Sequence, residues 1–135
     1  MNPYQVHLTG GDGDGWALDQ DVATTRTALE QLQDRVMMAP LDKADVVHAV
    51  WEEPLLAIPP ERLHGKRIIC HMCNDVPRTF ENAFMLHARQ TIGLWVGISR
   101  KACSDLAALG LRHMYIPYAI DTTVFRRDTP IDIPE

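Results

Sequence analysis

Short apolar runs alternate with stretches of helical spacing along almost the whole chain. Tyr4 to Leu8 reads as a strand, and Leu18, Val22, Thr25, Leu29 and Leu32 then recur at intervals of three and four, which places them on one helix face. Arg35 to Met38 predicts a short second strand ended by Pro40, and Ala44 to Trp51 a third, mostly apolar without strict alternation. That pattern belongs to a parallel strand covered on both faces. Glu52 to Gly65 carries three prolines and reads as a surface connection with a helical turn near Leu55-Leu56. Arg67 to Met72 is a central strand. Thr79 is a candidate cap for a helix in which Phe80, Phe84, His87 or Ala88, and Ile92 share a face before Gly93 ends it. Leu94 to Ile98 follows as a strand, and Ser99 caps a helix with Cys103, Leu106 and Ala107 inward and Gly110 at its end. Met114 to Ile116 is the last strand.

Strands alternating with helices mean a parallel sheet joined by right-handed crossovers. The expected fold class is therefore α/β, a Rossmann-like parallel sheet with helices on both faces. In such sheets ligands lie beyond the carboxyl ends of the strands, where the strand order reverses. The glycine-rich loop Thr9 to Gly15, His71 and Ser99 are all expected on that edge.

The loop holds four glycines in six positions, Gly10, Gly11, Gly13 and Gly15, with Asp12 and Asp14 between them. Its backbone can approach a ligand closely and offer N–H groups where the next helix begins. It does not satisfy the G-x-G-x-x-G dinucleotide pattern. It also fails as a calcium loop, because counting from Asp12 the sixth residue is Ala17 and the twelfth is Ala23. Asp12 and Asp14 can accept hydrogen bonds from a polyol or serve only the turn.

Cys70-His71-Met72-Cys73 invites a redox or zinc reading. If the strand runs through Cys73, alternate side chains diverge and the two thiols cannot meet. A strand ending at His71 weakens that objection, but a second ligand pair is still missing. Buried, reduced cysteines are the expectation for three thiols in a chain that opens without an export signal. Ser99 lacks the G-x-S-x-G context of a nucleophile and is read as a helix cap. His48 ends an apolar strand and is a candidate to border the same cleft, with a packed or surface residue as the preferred reading. Arg100 is read as solvent-exposed.

The chain's 135 residues suit one domain, and 46% hydrophobic against 23% charged residues is ordinary globular composition. A net charge of −5 argues against a nucleic-acid partner, since phosphate-backbone binding needs clustered cations. No apolar stretch approaches the roughly 20 residues of a membrane span, so a cytoplasmic protein is expected. Membrane association and oligomeric state stay open.

The closing passage, Tyr115-Ile116-Pro117-Tyr118-Ala119-Ile120-Asp121-Thr122-Thr123-Val124-Phe125, resembles the segment that ends the N-terminal domain of two-domain GT-B glycosyltransferases, above all the retaining enzymes of family 4. The glycine-rich loop, the strand ending in His71, and Trp95-Val96-Gly97-Ile98-Ser99-Arg100 opening a helix match the same family in order. Ala119 stands where the family usually has glycine. The resemblance implies residues 1–125 as the acceptor-side domain and 126–135 as a linker or tail toward a missing C-terminal domain. It implies transfer of a sugar from a nucleotide-sugar donor to an acceptor hydroxyl, with no cofactor and no obligatory metal, and a chain nearly inactive alone. It makes His71 the candidate catalytic residue. Gly10, Gly11, Asp12, Gly13, Asp14 and Gly15 become candidate substrate contacts, with Asn74 and Asp75 beside them. Glu53 and Glu61 reproduce an E-x7-E spacing but lie in the wrong half and enclose three prolines. The alternative is a non-catalytic Rossmann-like domain that binds a glycan or protein. A flavodoxin-like or phospho-acceptor module is disfavoured, because the first strand leads into glycines instead of an aspartate cluster.

Overall fold

Six strands form one sheet in the order β2-β1-β3-β4-β5-β6, and every neighbouring pair is parallel. The structure is a computed structural model and describes residues 2–73, 75–81 and 90–118. The elements are β1 (Tyr4–Thr9), α1 (Ala17–Glu30), β2 (Val36–Met38), a 3₁₀ turn (Leu41–Lys43), β3 (Val46–Ala49), α2 (Glu52–Leu56), α3 (Pro60–Leu63), β4 (Arg67–Met72), α4 (Val76–Phe80), β5 (Leu94–Gly97), α5 (Arg100–Ala108) and β6 (His113–Tyr115). The protein has a Rossmann-like α/β fold. The chain steps outward from β1 to β2, then crosses back over β1 to β3 and continues the other way. The reversal between β1 and β3 is the topological switch point, where a crevice opens at the carboxyl edge.

The two faces of the sheet are packed unequally. Val47, Ala49, Ile68, Cys70, Met72 and Trp95 point to one face and join Leu55, Leu63, Val76, Phe80, Ala102 and Leu106 of α2 to α5 in a continuous core. Trp95 is 0% exposed and meets Phe80 edge-on, with ring centroids 5.3 Å apart. Strand register puts Leu8 beside His48 and Val96 beside His71, so these residues share the opposite face with Val6, Val46 and Ile69. There α1 is the cover. None of its residues is buried, and Leu32 just beyond it is 49% exposed. The apolar stripe read from the sequence does turn inward at Leu18, Val22, Thr25 and Leu29, but only to half-burial.

Local capping explains most boundaries. Ser99 Oγ accepts the Ala102 N–H at 3.0 Å and starts α5, as its sequence position suggests. Gly110 follows that helix at φ +68°, a left-handed conformation that glycine adopts without a Cβ penalty.

Four expectations need correction. Thr79 is not a cap: α4 begins three residues earlier, with Asp75 accepting the Arg78 N–H at 3.4 Å and Pro77 in the first turn. Residues 52–65 are not merely a surface connection, because α2 and α3 bury Glu52, Leu55 and Leu63 against the sheet. Prolines that break helices internally are tolerated in a first turn, which is where Pro54 and Pro60 lie. Ala107 is exposed, and Ala102 replaces it in the core. The last strand covers His113–Tyr115, one residue earlier than expected. Phe84, His87, Ala88 and residues 119–135 lie outside the described residues, as does Asn74. No helix among the described residues is long and apolar enough to cross a membrane.

Candidate functional site

Beyond Thr9 the chain turns at once, and Gly10 makes the turn possible at φ +117°. A Cβ on Gly10 would stand 2.7 Å from the Trp51 nitrogen and 2.8 Å from Val50 Cγ2. The loop is therefore pressed against the exit of β3, where the Val50 N–H donates to the Thr9 carbonyl at 3.0 Å. Gly10→Ala is expected to cost roughly 1–3 kcal/mol, combining a disfavoured φ with a backbone collision. A urea midpoint that falls at unchanged slope would show it; an unmoved midpoint would contradict this packing.

The remainder of the loop is held by carboxylates of the chain itself. Asp19, in the first turn of α1, accepts the Gly15 N–H at 2.6 Å and the Gly13 N–H at 3.1 Å, and a Cβ on Gly11 would collide with its carboxylate. Those donors, Gly15 first, hold its carboxyl below the usual carboxylate range. Asp12 Oδ1 accepts the Asp14 N–H at 3.2 Å. The N–H groups that the sequence offered to a phosphate thus already bind carboxylates, and Asp12, Asp14, Asp19 and Asp21 give this corner a negative field. Asp19 escaped the sequence reading, although an acid in the first turn after a glycine run is a recognisable signal.

His71 is the penultimate residue of β4, on the face covered by α1, and is paired. Its Nε2 lies 2.8 Å from Nε2 of His48 on β3, with ring centroids 5.0 Å apart. At that distance one nitrogen carries the proton and donates while the other accepts. Burial, then the proximity of His71, brings the His48 pKa down to about 4, and burial lowers that of His71 as well. Both rings are neutral at pH 7. His48 was read as an incidental histidine because sequence gives no register; adjacency of β3 and β4 makes it the partner of His71.

The pair lines a cleft of about 250 Å³ between α1 and the sheet, with Asp21, Thr25 and Leu29 on the helix side and Tyr118 from the closing passage. Desolvation raises the Asp21 pKa, and burial with a Cys73 hydrogen bond raises that of Tyr118. Cys73 donates to the Val50 carbonyl at 3.1 Å, whereas Cys70 is fully buried in the main core. No disulfide joins them, although each thiol feels the carboxylate of Glu52. Burial pushes both thiols up, which leaves them protonated at neutral pH. Among the described residues, no group of three or more His, Cys, Asp or Glu side chains converges to hold a metal ion.

Other candidates serve the scaffold. Asp75 caps α4 and also pairs with Lys101 of α5 at 3.3 Å, which keeps its carboxyl low. Arg100 is exposed, as expected, with its guanidinium 5.7 Å from the centre of the Tyr115 ring.

The class of protein is thus a Rossmann-like domain with an acidic glycine loop and a neutral histidine pair flanking its switch point. No protein-family model, no curated protein and no solved structure matches the chain.

Proposed function

We propose that this chain is the acceptor-side, N-terminal domain of a retaining GT-B glycosyltransferase, in which a sugar passes from a nucleotide-sugar donor to an acceptor hydroxyl. The observation that carries the reading is the neutral His48–His71 pair, set at the carboxyl edge over a cleft that also receives Tyr118. A neutral imidazole can accept a proton from a hydroxyl or donate one to a sugar oxygen at physiological pH. The loop electrostatics favour the same division of labour. Carboxylates suit hydroxyl groups, while the occupied N–H groups of Gly13 and Gly15 leave the donor diphosphate to a second domain. His71 is assigned the sugar contact and the loop aspartates the acceptor side.

The test is a transfer assay with labelled uridine- and guanosine-diphosphate sugars and a mixed set of hydroxyl acceptors. The intact native gene product is expected to transfer sugar and its His71→Ala variant to lose the activity, whereas residues 1–135 alone are expected to turn over almost nothing. Efficient transfer by residues 1–135 would overturn the division of labour. Inactivity of the intact product toward every donor would leave a non-catalytic binding domain as the better account.

A further inference from the structure

We propose that His48 is a positioning residue for His71: it donates its Nε2–H to His71 Nε2, holds the His71 ring in the Nδ1–H form, and so makes that Nδ1–H the donor that meets an accepting oxygen of the bound sugar. The bond of 2.8 Å joins Nε2 to Nε2, so the nitrogen left on each ring is Nδ1, on the side away from the partner ring. Neither Nδ1 has a partner among the described residues. His71 lines the cleft, and Nδ1 is therefore the one nitrogen through which it can meet a ligand without breaking the pair. Because His48 is registered opposite Ile69, His71 stands two residues further along the same face, and both rings are carried on paired strands instead of a loop.

The direction of the shared bond follows from what each arrangement leaves unpaired. Two neutral imidazoles hold two N–H groups and two bare nitrogens, and their mutual bond uses one of each. The donating ring keeps a bare Nδ1, and the accepting ring keeps an Nδ1–H. In folded proteins a buried N–H without an acceptor is rarer than a buried acceptor without a donor, so the bare nitrogen belongs on the deeper ring. That ring is His48, the more buried of the two. Charge acts in the same direction. The Asp21 side chain lines the same cleft, and a carboxylate draws an N–H toward it and repels a lone pair. His48 therefore donates, and His71 turns an N–H to the cleft.

This inference deepens the transferase reading, on which it rests only for the statement that the accepting oxygen belongs to a sugar; the proton positions stand separately. A solvated neutral histidine favours the Nε2–H form, so His71 is held in its less common one. Nitrogen-15 shifts of the histidine-labelled chain of 135 residues at pH 7 separate ring nitrogens that carry a proton from bare ones. His71 is expected to show a protonated Nδ1 and a bare Nε2, and His48 the reverse. In His48→Phe the His71 ring is expected to return to the Nε2–H form, whereas His48→Gln, whose amide N–H can donate to His71 Nε2, keeps it in the Nδ1–H form. A native chain with the His71 proton on Nε2, or an unchanged His71 in His48→Phe, would overturn the assignment. In the intact gene product His48→Phe is expected to lower kcat roughly 100-fold at nearly unchanged KM, with most of the loss recovered in His48→Gln. Equal losses in the two variants would overturn the positioning role. The expected nitrogen pattern alongside an intact product that transfers no sugar would support the positioning of His71 and remove only the transferase reading.

Discussion

Acidification from pH 7 to pH 4.5 is expected to weaken the fold. The cause is His48, whose folded pKa of about 4 lies below its ordinary value of 6.5. In the unfolded chain this ring gains its proton as the pH passes 6.5, whereas the folded protein refuses it until about 4. Unfolding therefore takes up protons throughout that window, and stability falls as pH falls. The full stability is present above 6.5. The interval down to about 4, at roughly 1.4 kcal/mol per pH unit, amounts to about 3 kcal/mol when complete. Burial of His71 acts in the same direction. Asp19 and Asp75 behave oppositely in mechanism, being held low by hydrogen bonds, and their contribution is lost only below the ordinary aspartate value of 3.8. The two windows are therefore separable. Urea midpoints measured from pH 7 to 4.5 should decline in the native chain and decline less steeply in His48→Phe, where only the contribution of His71 remains. A flat profile in the native chain would mean that the pair is not a buried neutral one.

Trp95→Ala is expected to be the most damaging single truncation, costing roughly 3–5 kcal/mol. The indole is completely buried in β5, touches the Phe80 ring edge-on, and belongs to the core that binds α4 and α5 to the sheet. Removing it leaves a hole that strands on either side cannot close, since β4 and β6 are fixed by their ladders to β5. Domains of this size commonly have only about 5–15 kcal/mol in total. The variant should be marginally folded at 25 °C, with α4 and α5 loosened first. Chemical denaturation measures this directly, and a loss below about 1 kcal/mol would be inconsistent with Trp95 as the centre of that core.

Much of the architecture was legible because parallel strands are apolar on both faces. Arg67 to Met72 stood out as a strand on that ground and has those same limits in the structure. The Ser99 cap was legible because capping is local. The start of α4 was misplaced because Thr79 competes with Asp75 as a capping residue, and only the Asp75-Val76-Pro77 order decides between them. Within residues 52–65 the turn near Leu55-Leu56 was legible and is α2, whereas α3 was obscured because a proline count does not distinguish a first turn from a helix interior. At the site, His71 was singled out by the resemblance of its strand to the glycosyltransferase pattern, but its bond to His48 depends on which strands are neighbours. Periodicity told which face of α1 turns inward. It carries no information on how closely that face approaches the sheet, and the cleft exists in that remaining distance.

The crossing from β1 to β3 also sets an order of events in folding. The first strand of this sheet in chain order is an interior one: Tyr4 waits for Val36 on one side and Val6 for Val46 on the other. Both edges of β1 remain unsatisfied until these distant partners are synthesised, which takes seconds at translation rates of about 5–20 residues per second. Docking of β3 then seats the glycine loop against Val50 and Trp51, and only the later arrival of β4 brings His71 to His48. Slow translation between residues 50 and 72 would thus hold the nascent chain with half of its histidine pair in place and an unpaired edge on β3, the point at which a chaperone or a second nascent chain has most to gain.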